Sequence, residues 1–178
     1  MLKFPSCYPK KEMTITDKPS VPELFSKPKE DILAFLGKIY EHSSWIAENF
    51  YDECVEGQGK EFTNVQEVFR AMSSVVEKSS NEQKLTLLQA HPDLCAKIES
   101  LKKLTKESQV EQGKAGLATL TDEERAKFTK LNSEYREKFG FPFILAARNA
   151  TKYTVLSAIE GRVSRSPEDE FAGALYQV

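Results

Sequence analysis

Little in this sequence could build a metalloprotein, a disulfide-stapled scaffold or a nucleic-acid binder. It holds three cysteines, Cys7, Cys54 and Cys95, and two histidines, His42 and His91, among 178 residues. An odd number of widely spaced cysteines, with no histidine at metal-ligand spacing, fits reduced thiols in a reducing compartment and excludes a disulfide framework or zinc site. Charge of one sign is missing too. The 25 basic and 27 acidic residues leave a formal charge of -2 and are well mixed, so no surface is offered to nucleic acid or anionic lipid. No apolar run approaches the roughly 20 residues that cross a bilayer, and Met1-Leu2-Lys3-Phe4-Pro5 lacks the apolar stretch of a signal peptide. The expectation is a soluble intracellular protein with no membrane partner. Tyr176-Gln177-Val178 is not a peroxisomal ending. No phosphate-binding glycine loop, dinucleotide fingerprint, His-Glu-x-x-His or Cys-x-x-Cys occurs.

What is present reads as helix. Residues 1–28 carry Pro5, Pro9, Pro19, Pro22 and Pro28 and predict an extended arm outside the core. Residues 29–178 predict one domain, an all-α helical bundle of about eight helices. Ile32, Phe35, Leu36, Ile39, Ile46 and Phe50 recur mostly at three- and four-residue intervals, with a junction at Tyr40 to Trp45 where Ser43 or Ser44 can cap the next helix. After a loop over 57–64, Val65, Val68, Phe69, Met72, Val75 and Val76 predict an amphipathic helix, and another spans Asn81 to Ala90. Leu94 to Leu101 and the stretch opening near Ser108 are read as helical up to the weakening Gly113 and Gly116. Thr121 and Glu124 form a capping box for a helix whose buried face carries Phe128, Leu131 and Tyr135, with Gly140 as its left-handed stop. The apolar run Phe143 to Arg148 has no sibling strands and reads as a buried helix start. Val155, Leu156, Ile159 and Val163 mark a further helix, and Ser166-Pro167-Glu168-Asp169-Glu170 opens the last one in cap, proline and acidic-turn order. That helix shows no C-terminal stop signal at Val178, so the chain is expected to end in mid-helix.

The candidate chemistry lies between Leu85 and Gln112. Pro92 disfavours the α conformation at His91, so the helix should end there, where the dipole favours a protonated imidazole. His91 has two readings: a group that caps a free carbonyl, or an acid/base titrating near neutrality. Ser108 and Glu111 form a capping-box pattern that needs no substrate, and Gln112 offers a donor and an acceptor to an amide-like ligand. His42, beside Glu41, reads as a surface or junction residue because neighbouring residues on a helix do not face one another. Tyr135, Phe139, Phe141 and Phe143 read as core rather than as a cofactor platform.

Taken together these motifs are far more specific than any one alone. Tyr40-Glu41-His42-Ser43-Ser44-Trp45-Ile46, Ala90-His91-Pro92-Asp93-Leu94, Leu104-Thr105 with Ser108-x-x-Glu111-Gln112, Ala115-Gly116-Leu117, Leu131-Asn132 with Tyr135, and Phe139-Gly140-Phe141-Pro142-Phe143 stand in this order. In order and spacing the chain resembles the 2-oxo-4-hydroxy-4-carboxy-5-ureidoimidazoline (OHCU) decarboxylases over roughly 29–178. The resemblance implies an all-α homodimer that turns OHCU into (S)-allantoin in urate degradation without metal or organic cofactor. It implies His91 as general acid/base and Glu111 as its catalytic partner on the ring hydroxyl or N–H. It also implies substrate binding by Pro92, Ser108 and Gln112 and by the backbone of Phe143, Ile144, Leu145, Ala146 and Ala147. The implied compartment is the cytoplasm, with the peroxisome as the alternative.

Two departures stand out. Ser44 takes the place of a usual proline. The family's last helix runs on into a Leu-Arg-Leu segment whose arginine contacts substrate; Arg148 belongs to a different motif and does not replace it. A chain ending at Val178 is therefore expected to bind substrate more weakly, a charged hydrogen bond being worth roughly 1.5–3 kcal/mol. The rival expectations are a helical interaction module that kept the fold and lost the activity, and a hydrolase in which His91 and Glu111 activate water.

Overall fold

The computed structural model describes residues 18–40, 42–91, 120–146 and 151–178. Among these there are eight α-helices and no strand, as an all-α reading requires. In chain order they are α1 (Val21–Phe25), α2 (Lys29–Leu36), α3 (Trp45–Phe50), α4 (Val65–Lys78), α5 (Asn81–Ala90), α6 (Asp122–Phe139), α7 (Lys152–Val163) and α8 (Pro167–Gln177). A π-helical stretch, Tyr51–Gly57, prolongs α3.

The proline-rich N-terminal stretch is not extended throughout. α1 lies inside it, with Pro22 in the first turn, where a missing N–H costs nothing, and the Ser20 N–H donates to Glu23 Oε2 at 2.7 Å. Leu24 is buried, and the Phe25 ring stacks on Phe62 with centroids 5.1 Å apart, so this turn belongs to the core. On α4 the buried face is Val68, Met72 and Val75. Val65 and Phe69 lie one helical stripe away and are 72% and 59% exposed.

Two apolar clusters make the interior. Ile32, Leu36, Ile46, Phe50, Phe62, Met72 and Leu87 belong to the first. Leu88, Phe128, Tyr135, Phe143, Val155, Ile159 and Ala174 belong to the second. They meet on α5, whose adjacent Leu87 and Leu88 each have no exposed surface and point about 100° apart into different clusters. Leu175 of the last helix and Val178, which follows it, pack against both. A helix buried on two sides is a rigid mount for what its end carries, and α5 ends at His91.

Candidate active site

The mount for His91 is built from local signals. The Ser80 hydroxyl accepts from the Gln83 N–H at 3.2 Å and the Gln83 side chain accepts from the Ser80 N–H at 3.1 Å, closing a capping box at the start of α5. At the other end His91 takes extended geometry, φ -66° and ψ 136°, the conformation a following proline demands, and its N–H donates to Leu88 O at 3.2 Å. The residue is half-buried. Pro92, Ser108, Glu111, Gln112 and Ala147, with Arg148, lie outside the described residues.

The second component is the chain after α6. Gly140 stops that helix in left-handed geometry at φ 77°, and its N–H donates to Arg136 O at 2.9 Å. The expected helix start at Phe143 does not form. Residues 142–146 are irregular, and α7 begins only at Lys152 behind the Thr151 cap. The physical reason is where the backbone groups go: Pro142 has no N–H, Ile144 O accepts from Arg162 Nη1 at 2.7 Å, and the Ala146 N–H donates to Gln177 Oε1 at 3.0 Å. Side chains of α7 and α8 have taken the partners that a helix would have supplied.

Of the expected substrate-binding stretch, Phe143 and Ile144 are buried, Leu145 is half-buried and Ala146 exposed. The Phe143 ring packs edge-on to Tyr135 at 5.3 Å, so its side chain is core and only its backbone is available to a ligand. α5 and this segment are tied together. Leu88 packs in the same cluster as Phe143 and Ile144, and Gln89 Nε2, two residues before His91, donates to Gly140 O at 3.0 Å. His42 is exposed at a junction with φ 55°, away from any helix.

Sequence reasoning missed a buried ionic cluster behind the segment. Glu170 has no exposed surface; its Oε1 accepts from Arg162 Nε at 2.8 Å, from Arg162 Nη2 and from the Tyr135 hydroxyl. Burial first, and then the hydrogen bond to Glu170, push the Tyr135 hydroxyl far above its ordinary value, so it stays a proton donor. The helical interval Val155, Ile159, Arg162 already put this arginine on the buried face. A cavity of about 750 Å³ lies elsewhere, between α4, α5 and α8, lined mostly by apolar groups such as Phe69, Val76, Leu175 and Tyr176. It contains none of the expected site residues.

The family model for OHCU decarboxylase matches residues 26–178. The chain belongs to the OHCU decarboxylase family. Among its relatives, the OHCU decarboxylase of Halalkalicoccus jeotgali is 36% identical over 159 residues, covering 89% of this chain and 85% of that one. The OHCU decarboxylase of Haloferax volcanii is 39% identical over 142 residues, 80% of this chain and 79% of that one. The crystal structure of (S)-allantoin synthase superposes with a TM-score of 0.73 at 44% identity, over 89% of this chain. This chain spans 50% of that one. Membership places the His91 break and the segment after Gly140 within the matched region. No helix among the described residues is long and apolar enough to cross a membrane.

Proposed function

We infer that this chain catalyses the decarboxylation of OHCU to (S)-allantoin in urate breakdown. The observation that carries the reading is the match to the family over 26–178, which contains the His91-Pro92 break at the end of α5. The substrate's own structure supplies the electron sink. The bond from the ring carbon to its carboxylate breaks, carbon dioxide leaves, and the electron pair moves into the adjacent ring C=N, whose nitrogen takes up a proton. The hydroxyl on that carbon then becomes a carbonyl as its proton departs, the new ring C=C delivers its electron pair to a proton at the neighbouring, ureido-bearing carbon, and the ring nitrogen keeps the proton it took up. One proton is consumed for each carboxylate lost.

What the protein must add is position and a proton aimed at one face. His91 is the acid/base for that transfer, and Glu111 holds the ring hydroxyl or N–H and favours a charged imidazole by proximity. Pro92, Ser108, Gln112 and the backbone of 143–147 bind the ring and ureido amides. The working form is a homodimer in the cytoplasm, with the peroxisome as the alternative compartment. Light scattering and fractionation test these last two points.

OHCU decays unaided to racemic allantoin, so handedness is the signature. Circular dichroism of allantoin formed from freshly generated OHCU should show the S signal rising quickly with this protein. His91→Ala should slow it by roughly 100-fold or more while leaving the far-ultraviolet spectrum intact. A folded wild-type protein that gives no signal beyond buffer would rule the activity out.

A further inference from the structure

The proposed proton transfer assigns no role to the Arg162–Glu170 cluster. Buried ion pairs are poor stabilisers, because removing two charges from water offsets most of their attraction. Stability alone is therefore a weak reason for this one. With Nε and Nη2 taken by Glu170, Arg162 has Nη1 left, and that nitrogen donates to the Ile144 carbonyl while the guanidinium lies over the Phe143 ring at 4.8 Å. Two residues on, Gln177 holds the Ala146 N–H.

Between these clamps the Leu145 N–H and C=O make no hydrogen bond to any described residue. No cis peptide bond occurs among the described residues, and in a trans peptide the C=O and N–H point in opposite directions. The Leu145 N–H must then point away from the Ile144 carbonyl that Arg162 holds. By the same rule the Leu145 C=O points away from the Ala146 N–H that Gln177 holds. One donor and one acceptor are thus turned off their clamps and left for a ligand. Such a pair matches the cis-amide edge of a cyclic or terminal urea, which offers one C=O and one N–H side by side.

We propose that Arg162 and Gln177 are positioning residues that aim the Leu145 backbone pair at the urea-like amide edge of the substrate. This rests on the decarboxylase reading above. Glu170 serves by fixing the guanidinium plane. Gln177→Ala, at a half-buried position, and Arg162→Lys, which keeps the charge and loses the fork, test it by initial-rate circular dichroism with fresh OHCU, alongside melting curves. The expected result is a KM raised by about five-fold in Gln177→Ala with kcat changed less than about two-fold, the loss of one neutral hydrogen bond's worth of positioning. Its melting temperature should not move. Arg162→Lys should raise KM at least as much and lower the enantiomeric excess of the product. If both variants keep the wild-type KM and product handedness, and lose only folded fraction, the cluster is merely structural and the proposal falls while the activity stands. If the wild-type protein makes no (S)-allantoin, both fall together.

Discussion

Arg162 and Glu170 show at the residue scale how a buried charge can be hidden in plain sequence. Glu168, Asp169 and Glu170 form the acidic first turn of α8, and all three suit the helix dipole equally. Only Glu170 turns inward, because it shares a stripe with the buried Ala174 one turn on. Removing its carboxylate leaves the Arg162 guanidinium buried with no carboxylate against its Nε and Nη2. Glu170→Ala should therefore cost about 3–5 kcal/mol in urea denaturation at neutral pH, far more than the same change at exposed Glu168. Equal losses at the two positions would contradict this account. His91 is legible for the opposite reason. The proline beside it acts locally, and its extended ψ of 136° follows from sterics alone.

Elements bounded by local chemistry stand where the sequence puts them. α5 runs from its Ser80 cap to the residue before His91, and α6 runs from the Thr121–Glu124 box to the left-handed Gly140. The stretch after Gly140 does not, since its backbone partners come from α7 and α8, far along the chain. α7 is also tied to α6 at their starts, where Lys152 Nζ meets Glu124 Oε2 at 2.8 Å with both side chains mostly covered. Lys152 draws the Glu124 carboxyl below 4.5, and Glu124 holds the Lys152 ammonium above 10.5. The carboxylate's contribution is present above 4.5 and fades as pH falls through its lowered value. The ammonium's is present below 10.5 and fades as pH rises through its raised one. The melting-temperature gap between wild type and Lys152→Met should be steady from about pH 6 to about pH 9 and shrink on acidification below the carboxylate range. A gap that persists undiminished at roughly pH 2 would remove the bridge from the account.

Across the whole molecule, α5 decides whether there is one core or two. Leu87 and Leu88 are adjacent in sequence, fully buried, and sit in different clusters. Truncating either to alanine should cost roughly 2–5 kcal/mol, and in both variants the molecule should still melt in one transition, because the shared helix cannot leave one cluster and stay in the other. Two resolved transitions in calorimetry would show that the clusters are independent. α5 keeps an exposed polar stripe of Glu82, Thr86 and Gln89, and its mix of leucines and polar residues carries no sign that the buried side meets two clusters.

Sequence alone determined the all-α class, the caps, the stop at Gly140, the break at His91 and, through the order of its motifs, the family. All of these are set by interactions within a few residues, or by residue identities that need no coordinates. Only the tertiary structure decided that α1 joins the core, that 142–146 stays irregular, and that Arg162, Glu170 and Gln177 stand behind that segment. Those outcomes depend on apolar contacts and on hydrogen bonds between groups 18 to 51 positions apart along the chain, from Arg162 with Ile144 to Gln89 with Gly140. No local periodicity records which distant partner a backbone group will find.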